Sequence, residues 1–183
     1  MLGFKINLME TQEVSVKKIA LNYGLILALL SIVVSVIAYV TNNHIERPWW
    51  VSVLSTTAMV GVIVYGLKAY KDENSGFLTI AEALKVGLAI SIIAGIIGAL
   101  YNYIFVTVIE PEFVTQMLDM TRDQMIEQNP DMAQDQMDMA MGITEKMMQP
   151  TIMSAIGIIM TLFFGFIISL ISGLIMKVNR PEN

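Results

Sequence analysis

Of the 183 residues, 55% are hydrophobic and 15% charged, and the mean hydropathy is +0.64. An ordinary soluble domain carries about 25% charged residues, so this chain has too few to cover a water-facing surface, and the composition predicts an integral membrane protein instead. The net charge is −5 with no basic cluster, which excludes a phosphate-backbone grip on nucleic acid.

Other chemistries fall with the residue inventory. There is no cysteine, so disulfides, thiolate metal sites and a cysteine nucleophile are excluded. The single histidine, His44, cannot build a multi-histidine metal site and sits too near a membrane edge to activate a serine. No HExxH and no glycine-rich phosphate loop is present. The expectation is a non-enzymatic protein with no catalytic, cofactor-binding or metal residues.

Four segments reach the roughly 20 apolar residues that a spanning helix needs. The first, 19–41, is uncharged and follows Lys17 and Lys18. It is longer than a signal-peptide core and lacks an A-x-A site, so it reads as a retained anchor. The second, 49–67, lies between Arg47 and Lys68, and Trp49 and Trp50 suit an interfacial belt. A short loop follows, in which Asn74-Ser75-Gly76 signals a turn. Thr79 and Glu82 then fit a capping box that starts a helix near Ile80. That helix runs into the third span, 86–109, with Tyr101 and Tyr103 towards its far interface. The fourth span, 150–176, begins at Pro150.

Between spans three and four lies the unusual segment. Residues 110–149 carry nine acidic side chains against Arg122 and Lys146, a net charge of −7, and nine of the fifteen methionines. Phe113, Met117, Met120 and Met125 have helical spacing, and Asn129-Pro130 reads as the cap and first residue of a second helix. That helix would present Ala133, Met137, Ala140, Thr144 and Met147 on one face. The expectation is an amphipathic helical hairpin over 112–148, outside the membrane.

Two metal readings attach to the hairpin. Met137, Met139 and Met141 resemble a thioether site for Cu(I). On a helix, however, neighbours two apart point about 160° away from each other, so the triplet chelates only if unwound, and methionine in place of leucine accounts for it. Asp119, Asp123 and Glu127 share one helix face. Such a stripe does not converge as a calcium loop does, and a solvated acidic face accounts for it. The third reading is a plastic methionine surface that docks a partner in the envelope.

Small residues recur every fourth position: Ala83, Gly87, Ser91, Gly95 and Ala99 in span three, and Gly157, Thr161, Gly165, Ser169 and Gly173 in span four. Span one has Ala20, Gly24 and Ala28, then Ser31 and Ser35. Lipid gives helices little hydrophobic reason to associate, and such ridges let backbones approach closely. They predict an all-α four-helix bundle with spans three and four in closest contact; the alternative occupant of a ridge is a second copy of the chain. No charged residue falls at mid-bilayer, which weakens a proton-coupled transporter but leaves a hydroxyl-lined pore or small transporter for a cation or small solute. Eight lysines and arginines, Lys5 among them, fall on the side of the termini and three on the other, which predicts both termini in the cytoplasm.

The chain also resembles a known family. The carrying residues are Val16-Lys17-Lys18-Ile19-Ala20 with Tyr23-Gly24, Tyr70-Lys71 and Asn74-Ser75-Gly76-Phe77, and Ala83-Leu84-Lys85-Val86-Gly87. Ile109-Glu110-Pro111-Glu112-Phe113 and the Met-rich hairpin before Pro150 complete the pattern, in which the family more often has Asp at the place of Glu110. In order and spacing these are similar to the domain of unknown function family 4199, small four-span membrane proteins of Bacteroidetes-type bacteria. The resemblance implies an inner-membrane location and carries no activity or catalytic residue.

Overall fold

The computed structural model describes residues 15–181, and Lys5, one of the basic residues counted above, lies outside them. Among the described residues six α-helices form: α1 Val16–Val40, α2 Trp49–Glu73, α3 Ile80–Ile104, α4 Phe113–Gln128, α5 Gln134–Met147 and α6 Pro150–Met176. A π-helical turn, Phe105–Ile109, continues α3. No strand occurs among the described residues, only an isolated bridge between Leu78 and Val178. Four helices, α1, α2, α3 with its π turn, and α6, are long and apolar enough to cross a membrane, so the architecture is that of an all-α membrane protein.

The local signals act as the residues dictate. Ser15 caps α1 by accepting from the Lys18 N–H at 3.3 Å. The capping box is present: the Glu82 N–H donates to Thr79 Oγ1 at 3.2 Å and the Thr79 N–H to Glu82 Oε2 at 2.8 Å. Pro150 opens α6, where its missing N–H costs nothing. Helix α2 runs six residues past the expected 67 to Glu73: Lys68, Ala69, Lys71 and Glu73 are good helix formers, and Tyr70 is buried in the core. It stops where Ser75 (φ 58°) and Gly76 (φ 83°) turn left-handed.

Between α4 and α5 the expectation needs correcting. Asn129 is the C-cap of α4, its N–H bonded to the Met125 carbonyl at 3.0 Å, and α5 starts only at Gln134. Proline pushes the residue before it out of the helical region, and Asn129 has φ −138°. Pro130 and Asp131 then fill the middle of a turn closed by the Met132 N–H on the Asn129 carbonyl, 3.1 Å.

The predicted pairing of spans three and four is the tightest in the bundle. A Cβ at Gly173 would meet the Ala83 Cβ at 2.8 Å, one at Gly165 the Ser91 Cβ at 2.7 Å, and one at Gly87 the Ser169 Cβ at 2.6 Å. Farther along, a Cβ at Gly95 would lie 3.6 Å from the Thr161 Cβ. Each step moves one turn along both antiparallel helices, so the two ridges interlock in register within one chain. The hydroxyls of Ser91 and Ser169 bond to carbonyls of their own helices, Gly87 at 2.8 Å and Gly165 at 2.6 Å, leaving no unsatisfied polar atom in the seam. The ridge of α1 is used too: Ala20, Gly24 and Ala28 are buried, and a Cβ at Gly24 would meet Ile93 of α3 at 2.8 Å.

The end of the bundle that carries the termini is filled. Ile63, Leu67, Leu78, Val86 and Ile90 are fully buried there. The C-terminal tail clasps the α2–α3 loop: the Leu78 and Val178 backbones exchange bonds of 3.0 and 2.9 Å. Arg180 donates to Asn74 at 2.7 Å, and Lys71 donates to the Met176 carbonyl at 2.9 Å. Long apolar side chains such as Leu29, Val60, Phe163 and Ile175 point outward, as lipid-facing surfaces do.

Candidate functional site

The opposite end, where α4 and α5 sit, is built differently. Residues 52–57 of α2 are all exposed, so this stretch packs loosely, although Val51 just before it is buried against Val34 and Ala38 of α1. A cleft of about 440 Å³ opens there between α1, α2, α3 and α6. It exists because side chains are missing: a Cβ at Gly98 or Gly157, both in its wall, would meet nothing within 4 Å. Deep in it the wall is apolar, with Leu27, Met59, Phe164 and Ile168. Nearer the hairpin it is polar, with Ser31, Ser55, Thr56, Asn102 and Ser154, and Arg47 closes the rim. An adjoining hollow of about 340 Å³ shares Ser31, Arg47, Ser55, Gly98 and Asn102 with it.

Two groups in this region lack partners. Among the described residues the Asn102 Oδ1 is shielded and accepts no hydrogen bond, and both ring nitrogens of His44 are shielded and bond to nothing. Arg47 makes no ion pair among the described residues and has a left-handed backbone, φ 41°, which a non-glycine residue seldom adopts. His44 packs instead into an aromatic cluster. Its ring lies 5.1 Å from Tyr39 and 6.3 Å from both Phe105 and Phe113, centre to centre. Phe105 stands at the start of the π turn and Phe113 at the start of α4, 5.7 Å apart, so the cluster seats the hairpin on the bundle. Neither the cleft nor the aromatic seat was legible as a site in the sequence. Asn102 and Arg47 were the available signals, polar residues beside apolar runs.

The hairpin itself touches the bundle lightly. Met137 is its one buried side chain among the described residues. The inward face of α5 differs from the expected one: Met137, Ala140, Met141, Thr144 and Met148 turn in, whereas Ala133 and Met147 are exposed. Ala133 precedes the helix, and methionines at five positions of α5 and its cap leave the apolar direction ambiguous from spacing alone. On the outer face Met139, Ile143 and Met147 line up at 71%, 56% and 52% exposure.

The methionine triplet does not converge. Met137 is buried and Met139 exposed within an unbroken helix. Asp119, Asp123 and Glu127 are exposed along one face of α4, and no group of three His, Asp or Glu residues among those described is placed to hold a metal ion.

A family model described as "Protein of unknown function (DUF4199)" matches residues 22–178, and the chain belongs to that family. No curated protein and no solved structure matches it.

Proposed function

We propose that this member of the family is a non-enzymatic, multi-pass protein of the bacterial inner membrane that docks a partner protein through its hairpin. The observation that carries the reading is the exposed stripe of Met139, Ile143 and Met147, the face of α5 that the other described residues leave uncovered. Thioether side chains repack readily against varied apolar surfaces, which suits docking. The hairpin's net charge of −7 favours a partner whose apolar pocket is ringed by basic residues, and the same charge repels an anionic bilayer surface. The excess of basic residues on the other side supports cytoplasmic termini and a hairpin beyond the outer face of the membrane.

Photo-crosslinking in native membranes tests the reading. A photoreactive residue at position 139 should capture one dominant protein, and the capture should fall at least tenfold with Ile143→Glu. Labelling spread over many proteins, or unaffected by the substitution, contradicts docking.

The second reading, a small transporter or channel for a cation or small solute, is favoured by the polar-rimmed cleft. The buried layer of Ile63, Leu67, Val86 and Ile90 counts against a continuous path. Flux in liposomes that falls when Asp119, Asp123 and Glu127 are neutralised would replace the docking reading with this one.

A further inference from the structure

We propose that Met139 and Met147 form an oxidation site, at which an uncharged peroxide makes sulfoxides ahead of the other methionines described, and that the change turns the docking face of α5 from apolar to polar. The first half stands on exposure and chemistry; the second also rests on the docking reading above. The chain has no cysteine, so its thioethers are the side chains that a mild two-electron oxidant meets first. Among the described residues three methionines are exposed, Met139, Met147 and Met160, and Met160 lies within the spanning helix α6, against lipid. Met137, two positions before Met139 in the same helix, is buried, and the remaining methionines of the hairpin are half-buried. The net charge of −7 over residues 110–149 holds off anionic oxidants and leaves a neutral peroxide unhindered.

The step needs only the side chain and the oxidant. The thioether sulfur gives a lone pair to one peroxide oxygen, the O–O bond breaks as the S–O bond forms, and the departing hydroxide takes the proton of the transferred oxygen and leaves as water. Sulfur loses two electrons and the peroxide gains two. Met139 and Met147 stand one turn to either side of Ile143, so the two sulfoxides bracket the centre of the stripe. A sulfoxide oxygen is a strong acceptor, and burying it unpaired in an apolar pocket is unfavourable. Both side chains point away from the other described residues while Met137 keeps its place, so the hairpin stays seated.

The test treats native membranes holding the full-length protein with hydrogen peroxide, and tandem mass spectrometry of the digested chain reads each methionine. Met139 and Met147 should oxidise at least tenfold faster than Met137, and the melting temperature of the protein in nanodiscs should hold until Met137 reacts. A photoreactive residue at position 143, which keeps both methionines, reads docking: its capture should fall at least tenfold once positions 139 and 147 are sulfoxides. In a variant with Met139→Leu and Met147→Leu, whose face stays apolar, capture should survive the same treatment. Met137 oxidised as fast as Met139 and Met147 overturns the site. Capture unchanged by the two sulfoxides, or lost equally in the leucine variant, overturns the change of face as a switch. Absence of a dominant captured protein before peroxide is added sinks the docking reading and the switch with it, while the oxidation rates still decide the site.

Discussion

Replacing Gly87 by leucine should unseat α6 from α3 and cost more stability than a substitution on any lipid-facing position. The argument is steric. A Cβ at position 87 already overlaps the Ser169 hydroxyl and would lie 2.6 Å from its Cβ. Ser169 has no room to yield, being fully buried and bonded back to the Gly165 carbonyl. The helices must therefore separate along the whole seam, since the pairs on either side share the same close approach. In water a displaced apolar face would be driven back; in lipid nothing drives it back, and the lost dispersion contacts are not recovered. Overpacking in a soluble core costs about 1–3 kcal/mol, and a backbone-to-backbone seam falls at or above the top of that range. Thermal unfolding in nanodiscs measures it. Gly61→Leu is the control, because a Cβ there meets nothing within 4 Å and the variant should melt as the parent does. A Gly87→Leu protein as stable as the Gly61→Leu protein contradicts the seam.

The pair Gly95→Cys and Thr161→Cys should close into a disulfide almost completely under mild oxidation. A Cβ at 95 lies 3.6 Å from that of Thr161, and disulfides span about 3.5–4.5 Å between Cβ atoms. The chain has no cysteine of its own, so any crosslink reports this pair alone. Moving one partner by four residues, to Gly95→Cys with Gly165→Cys, adds about 6 Å along the axis and should abolish the bond. The gel pattern also decides what the ridges face. A faster-running monomer is expected. A disulfide-linked dimer would mean that the ridges meet a second copy.

The parts of the fold carried by strong periodicity were legible in the sequence. Four apolar runs, the four-residue recurrence of small side chains and the Thr79–Glu82 box each correspond to one physical constraint, and each element formed. The misjudged features are those in which two constraints compete. Asn129-Pro130 fits both a helix start and a turn, and the proline's restriction of Asn129 decided for the turn. Methionine lies on several sides of α5, so contact with the bundle fixed which side turned in. The cleft had no sequence signature, because it is made by absent side chains at Gly98 and Gly157 and by the loose packing of residues 52–57 of α2. The π turn had no sequence signature either, and Phe105 at its start packs against Tyr39, His44 and Phe113.

Everything proposed for the hairpin and for the cleft requires that the chain cross the bilayer four times, with α4 and α5 on the side away from both termini. Single cysteines at Ser75, in the α2–α3 turn, and at Gln136, on the exposed face of α5, measure this directly in intact cells with a membrane-impermeant maleimide. The account predicts that position 136 labels once the reagent reaches the outer face of the inner membrane, and that position 75 labels only after that membrane is opened. Labelling of both positions from the same side would contradict it.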